Sequence, residues 1–189
     1  MSEYFKGIPK IKYEGSSSKN PFAFRHYDAE KVVAGKPMKK HLKFAMSYWH
    51  TLGGEGVDMF GSGTMDRSFG GKTPMETAKN KVAAAFEFME KLGIEYFCFH
   101  DKDIAPEGET LSEFQKNLHA IVPLLQEQMA RTNIKLLWGT ANCFNHPRYV
   151  HGAGTACNAD VFSFAAAQIK KAMDITMKLG GQGYVFWGG

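Results

Sequence analysis

One imidazole and two carboxylates stand together in the run 100–103, which has the sequence His-Asp-Lys-Asp. The residues just before it, 94–99, are apolar and aromatic and follow Gly93, which predicts a short buried strand. In α/β folds, reactive side chains collect where strands end and loops begin. This junction is therefore a candidate active-site rim.

The chemistry of this run follows from its residue types. Histidine titrates near neutrality, so His100 is suited to take up and return a proton. A carboxylate in contact with an imidazole fixes its tautomer and stabilises the charged ring. If the chain turns after His100, Asp103 folds back onto the ring and Asp101 points elsewhere, because successive side chains of an extended segment leave on opposite faces. A histidine held by a loop aspartate for stability alone fits the same pattern, and these residues by themselves leave both interpretations open.

The elements around the run alternate between strand and helix. The sequence predicts strands over residues 44–49, 94–99, 134–140 and 182–187, with helices opened by Thr73, by Thr110 and by Asn158 or Asp160. The order β-α-β-α-β-α-β predicts a parallel sheet with right-handed crossovers. An open doubly wound sheet and part of a (β/α)8 barrel both fit. No glycine-rich turn leads from the first strand directly into a helix, which counts against a dinucleotide-binding fold.

The first 42 residues differ from the rest of the chain in charge and composition. Residues 1–28 are irregular, and Asp28 predicts the cap of a short helix that runs to Ala34. Residues 1–43 carry ten Lys and Arg against four Asp and Glu. A basic arm can contact nucleic acid. The charges are scattered without a repeating basic face, however, which favours a solvated arm that lies on another subunit.

Length and composition suit one globular domain. The chain has 189 residues, of which 44% are hydrophobic, enough for a good-sized core. Neither a secretory signal nor an apolar run of membrane-spanning length is expected. The cysteine count of three is odd and the cysteines lack metal-ligand spacing, which favours a reduced, cytoplasmic setting.

Several long motifs together resemble one enzyme family. They are FHDKDIAPEG at 99–108, WGTAN at 138–142, YVFWGG at 184–189, RHY at 25–27 and AMSYWHT at 45–51. Taken in chain order, these motifs extend across the whole chain, and the sequence resembles xylose isomerase in its longer-chain class. The resemblance implies a TIM barrel, a (β/α)8 fold, whose first four β/α units occupy residues 43–189 as the N-terminal half of the catalytic domain. An irregular N-terminal arm with a short helix, residues 1–42, precedes them.

The resemblance also implies roles for individual residues. His100 is similar to the catalytic base that opens the sugar ring, and Asp103 to the carboxylate that orients it. Flat apolar faces stack on sugar C–H groups and exclude water, which favours a sugar pocket where several aromatic rings surround one histidine. The implied substrate-binding residues are Trp49, Thr140, Phe144, Trp187 and, reaching in from a neighbouring subunit, Phe60.

The implied reaction is a metal-dependent aldose–ketose isomerisation. D-xylose would become D-xylulose, and D-glucose would become D-fructose, with ring opening before a metal-assisted hydride shift. The resemblance implies two divalent cations (Mg, Mn or Co) and a cytoplasmic homotetramer. The family's metal ligands belong to later strands, so they are expected beyond residue 189, with no metal site in this chain. We therefore expect the N-terminal half of an enzyme, inactive alone and with the C-terminal half of the barrel as its partner.

Two other classes of function are compatible with a barrel of this kind. One is a metal-dependent endonuclease, which needs a histidine-rich metal cluster and basic loops facing DNA. The strand-end loops here carry Trp49, Phe60 and Phe144 instead, which suits a small sugar, so no nucleic-acid or membrane partner is expected. The other is a non-catalytic half-barrel that serves only in assembly.

Overall fold

Long helices alternate with the strands of a parallel sheet in the computed structural model, which describes residues 3–57 and 59–187. In chain order the elements are β1 (Lys12–Tyr13), β2 (Ala23–Phe24), β3 (Val32–Val33), β4 (Lys36–Pro37), α1 (Met38–His41), β5 (Ala45–Ser47), α2 (Pro74–Leu92), β6 (Tyr96–His100), α3 (Asp101–Ile104), α4 (Leu111–Thr132), β7 (Lys135–Thr140), α5 (Ala159–Lys178) and β8 (Gly183–Tyr184). A π-helical turn, Trp49–Gly53, follows β5, and a 3-10 turn, Pro147–Tyr149, follows β7.

The main sheet has four strands in the order β5-β6-β7-β8, and every neighbouring pair is parallel. The predicted parallel α/β arrangement is therefore confirmed. The two outer strands are shorter than predicted, because each pairs on one side only within the described residues. Trp49 lies in the π-helical turn and Trp187 lies beyond β8. Gly188 and Gly189, the end of the last motif, fall outside the described residues.

Strand register brings the predicted strand ends to one edge of the sheet. Ser47 pairs with Cys98, His100 pairs with Thr140, and Gly139 pairs with Tyr184. The carboxyl ends of β6 and β7 therefore lie side by side. Side chains from these strand ends, and from the loops that follow them, meet around His100.

The hydrophobic core lies between the sheet and its helices. Phe97 and Phe99 are fully buried, and the Phe97 ring packs 5.6 Å from the ring of Phe86 on α2. Burying a phenylalanine side chain contributes about 1.5–3 kcal/mol. The α2 helix begins at the predicted capping box of Thr73 and Glu76, which exchange hydrogen bonds between side chain and backbone. Among the described residues, no helix combines the length and apolarity needed to cross a membrane.

The prediction of a helix after Asp28 is wrong. Residues 32–37 form a small antiparallel hairpin instead, made of β3 and β4. Ala34 and Gly35 both have positive φ angles, 47° and 77°, as a two-residue hairpin turn requires. Such a turn is incompatible with a continuing helix, and the short helix of this region is α1, Met38–His41.

The first described residues of the arm lie against α2 of the same chain. The Glu87 carboxylate accepts hydrogen bonds from the backbone N–H groups of Tyr4 and Phe5, at 2.7 and 3.0 Å. The Lys91 amine donates to the Phe5 carbonyl at 2.6 Å. These residues are therefore held by their own chain. Contact of the remaining arm with another subunit stays a prediction.

Candidate active site

His100 ends β6, and Asp103 folds back onto it through α3, which begins at the next residue. One carboxylate oxygen of Asp103, Oδ2, lies 3.0 Å from His100 Nδ1 and accepts the His100 backbone N–H at 2.7 Å. The contact that the sequence predicts is therefore present. An ionised carboxylate only accepts hydrogen bonds, so this contact places a proton on Nδ1 and leaves Nε2 of the neutral ring as an acceptor.

Three aromatic rings surround the buried imidazole. The ring centroids of Trp49, Phe144 and Trp187 lie 4.5, 5.6 and 6.1 Å from that of His100. His100 is 5% exposed, whereas Phe144 and Trp187 are both about half exposed. His100 Nε2 is buried and has no hydrogen-bond partner among the described residues. A proton acceptor thus sits at the base of a partly open aromatic cup.

Thr140 and Phe60 differ in how they relate to this cup. Thr140 is buried beside His100 in the sheet, and its hydroxyl donates to the Val185 carbonyl at 2.5 Å. The hydroxyl oxygen keeps lone pairs with which to accept a further hydrogen bond. Phe60 is 91% exposed in the long loop before α2. Substrate contacts by either residue stay predictions.

Asp101 points away from the imidazole, as the sequence predicts, into a buried polar network that the sequence does not reveal. Its Oδ1 accepts from the backbone N–H groups of Lys102 and Asn142, both at 2.8 Å. Its Oδ2 accepts from the Gln168 side-chain amide at 2.8 Å. Burial raises the pKa of Asp101, while its three N–H donors act in the opposite direction.

The loop after β7 is held by the same network. Gln168 Nε2 also donates to the Asn142 carbonyl at 3.1 Å, and the Tyr149 hydroxyl donates to Gln168 Oε1 at 2.6 Å. Asn142 Oδ1 accepts the backbone N–H groups of Phe144 and Asn145, at 3.4 and 3.0 Å. Sequence reasoning missed these residues. The available signal was Gln168 itself, a polar residue that falls between Ala165 and Ala172 on the buried side of α5.

The thiols near the site are held in their protonated form. Burial raises the pKa of Cys98 and of Cys143 to about 11. Asp103 raises the pKa of Cys98 further, and Asp101 acts likewise on Cys143. Because the thiolate is the nucleophilic form, neither cysteine is suited to covalent catalysis at neutral pH.

The described residues do not by themselves fit a divalent-metal site. They contain no group of three or more His, Cys, Asp or Glu side chains that could hold a metal ion. Mg²⁺ and Mn²⁺ need several oxygen ligands. Asp103 is engaged with His100, and the oxygens of Asp101 face backbone and amide donors. The chemistry that these residues offer is binding and proton transfer.

Comparison with known proteins gives a consistent result. No family model matches the chain. It is 57% identical over 188 residues to xylose isomerase of Caldanaerobacter subterraneus subsp. yonseiensis, 99% of this chain. It is 58% identical over 190 residues to that of Thermotoga neapolitana and 60% identical over 186 residues to that of Listeria welshimeri, 100% and 98% of this chain. In each case the match covers 43% of the relative's own length.

Proposed function

This chain belongs by sequence to the xylose isomerases, and on that premise we propose that it supplies the ring-opening and sugar-stacking part of an aldose–ketose isomerase. The substrates would be D-xylose, converted to D-xylulose, and D-glucose, converted to D-fructose. One observation carries the proposal. His100 is buried with Asp103 at Nδ1, its Nε2 has no partner among the described residues, and aromatic rings surround it.

Ring opening of a cyclic sugar requires two proton transfers. Nε2 of His100 takes the proton of the anomeric hydroxyl, and Asp103 stabilises the imidazolium that forms. The electron pair left on the anomeric oxygen forms the carbonyl bond, and the bond between the anomeric carbon and the ring oxygen breaks. The imidazolium then returns its proton to the former ring oxygen. The products are the open-chain aldose and the original neutral histidine.

The aromatic cup would bind the sugar during these steps. Trp49, Phe144 and Trp187 offer flat apolar faces that stack on C–H groups and keep water from the imidazole. Thr140 would accept a hydrogen bond from a sugar hydroxyl. Phe60, which is almost fully exposed in its own chain, would reach the cup of a neighbouring subunit in a homotetramer.

A (β/α)8 barrel is the architecture that the sheet supports best. Four parallel strands pair in sequence order, with no reversal of the kind that marks a doubly wound sheet. Residues 43–189 would form the first half of the barrel, with residues 1–42 as an arm. A C-terminal half would pair with the outer edges of β5 and β8. That half would also carry the ligands of two divalent cations (Mg, Mn or Co) in a cytoplasmic enzyme.

The first test compares cyclic and open substrates in enzyme completed with the C-terminal part of a curated relative. His100→Ala should slow turnover of cyclic D-xylose by about 10²–10⁴-fold, the usual contribution of a general acid–base group. Asp103→Asn should act in the same direction more weakly. An aldotriose that cannot close into a ring should be far less affected by either change. Equal losses on both substrates would contradict the ring-opening role, and Asp174→Asn, an exposed aspartate paired with Lys170, is the control.

The second test asks whether the chain acts alone. In the structure its sheet is open, and apolar side chains near the outer strands are exposed, including Phe44 and Phe186 at 50% and 68%. Exposed apolar surface and unpaired strand edges promote association. The isolated chain should therefore aggregate or self-associate without turnover, and metal-dependent activity should appear when the C-terminal part is added. Size-exclusion chromatography with an isomerase assay decides this, and an active monomer of 189 residues would contradict it.

A further inference from the structure

Asp101 is a buried carboxylate for which the ring-opening chemistry has no use. It is 1% exposed, and all three of its N–H donors lie within 2.8 Å. Two of these donors come from distant parts of the chain: the backbone of Asn142, which follows β7, and the side chain of Gln168 on α5. Asp101 therefore joins the end of β6, the loop after β7 and the helix behind them.

A continuous path of contacts leads from Asp101 back to the imidazole. Asp101 accepts a hydrogen bond from the backbone N–H of Asn142, and the Gln168 side chain donates one to the Asn142 carbonyl. The Asn142 side chain accepts the backbone N–H of Phe144, whose ring lies edge-on to His100 with centroids 5.6 Å apart. Phe144 is 47% exposed in an irregular segment, and its ring also lies edge-on to that of Trp187, with centroids 6.5 Å apart. The path therefore links Asp101 to the backbone of Phe144.

We propose that Asp101 is a positioning residue that holds Phe144, one wall of the aromatic cup, against His100 through Asn142. Its effect on sugar binding rests on the function proposed above. Its effect on the position of the Phe144 ring does not depend on that function, because it follows from the hydrogen bonds alone. Asp101 would then place the Phe144 ring, and Asp103 would orient the imidazole of His100.

The donor pattern explains why an amide cannot replace this carboxylate. Asparagine at position 101 would turn an NH₂ group towards either the backbone N–H groups or the NH₂ of Gln168, so donor would face donor. If Gln168 flipped to compensate, the Tyr149 hydroxyl would lose its acceptor. In Asp101→Asn with Gln168→Glu, the new amide donates to the new carboxylate, which still accepts from Tyr149. The carboxylate cannot donate to the Asn142 carbonyl as Gln168 does, so that bond stays lost. The double change should restore the link in part.

The test is NMR of the completed enzyme, in which only the 189-residue chain carries labelled histidine. Phe144→Ala defines the His100 ring-proton shifts when the wall is absent. Asp101→Asn should move these shifts most of the way to that reference, and the double variant should move them back towards wild type. Asn142→Ala, which cuts the path at its second step, should resemble Asp101→Asn. Thr176→Val is the matched control, because it removes a buried hydroxyl from the same helix as Gln168 but leaves the path intact.

A second readout uses the completed enzyme. Asp101→Asn should raise the KM for xylose about two- to tenfold, the range expected for one aromatic contact, with a smaller change in kcat. Wild-type-like His100 shifts in Asp101→Asn, or equal shifts in Thr176→Val, would overturn the proposal. So would failure of both Asp101→Asn and the double variant to fold, since Asp101 would then serve the fold alone. A completed enzyme without isomerase activity would refute the proposed function, while the NMR comparison would still decide the role of Asp101.

Discussion

The Asp103 carboxylate should keep the proton of neutral His100 on Nδ1, and Asp103→Asn should weaken that preference. Oδ2 of Asp103 lies 3.0 Å from Nδ1 and also accepts the His100 backbone N–H. An ionised carboxylate has no donor, so a neutral ring can make this contact only with Nδ1 protonated. The amide of asparagine offers either a donor or an acceptor to the ring, and the tautomer with the proton on Nε2 becomes accessible.

The size of the effect follows from the change in the acceptor. A hydrogen bond to a charged group contributes about 1.5–3 kcal/mol, against about 0.5–1.5 kcal/mol for a neutral pair. The side chains of His100 and Asp103 are only 7% and 14% exposed, so solvent screens the contact little. A loss of about 1–2 kcal/mol changes the ratio of the two tautomers by a factor of about 5–30. A change of that size is visible directly in the populations.

Nitrogen-15 NMR of the completed enzyme, with histidine labelled in this chain only, measures these populations at a pH where the ring is neutral. The chain has seven histidines, and His100→Gln identifies the signals of interest. Asp174→Asn, on the exposed surface of α5, should leave them unchanged. If His100 of the wild-type chain carried its proton on Nε2, or if Asp103→Asn left the ratio as it was, the orienting role of Asp103 would be refuted.

Two further predictions concern the arm and the exposed loop. Burial raises the pKa of Glu87, but hydrogen bonds from the Tyr4 and Phe5 backbone and from Lys91 outweigh it and hold the pKa below its ordinary value. The free energy of unfolding in urea should therefore be higher for wild type than for Glu87→Gln, with the full difference present near pH 7. This difference should shrink as the pH falls below about 4.3, the ordinary pKa of a glutamate. A difference that does not change with pH would contradict this. Phe60→Ala should raise KM in the assembled enzyme with kcat little changed, because Phe60 is 91% exposed in its own chain and would line the cup of a neighbouring subunit. An unchanged KM would contradict that contact.

The alternation of strands and helices could be predicted because its signals are local. The capping box at Thr73, the apolar stripe of α2 and the terminating Gly93 lie within one stretch, and each acts on its neighbours along the chain. The hairpin at 32–37 was missed because the positive φ of Ala34 is set by pairing of the two short strands. Alanine has no intrinsic preference for that conformation.

The contact between His100 and Asp103 was predictable for the same reason, since its partners are three residues apart. The gathering of Trp49 and Phe144 around His100 needed one more step. In a parallel sheet, strand ends meet at one edge, so side chains that follow different strands become neighbours. Strand order and register then decide which of these side chains touch. The hydrophobic periodicity of the sequence predicts neither of them.

The two distant partners of Asp101 lie 41 and 67 residues further along the chain, in the loop after β7 and on α5. Nothing in the spacing of 100–103 distinguishes a carboxylate that faces solvent from one that faces Gln168. Burial makes the difference, because a carboxylate with 1% exposure must find donors, and two of its three donors come from the loop after β7 and from α5. The turn after β6 thus sends its two aspartates to opposite sides. A change in the geometry of this turn should therefore disturb the orientation of the base and the position of the wall together.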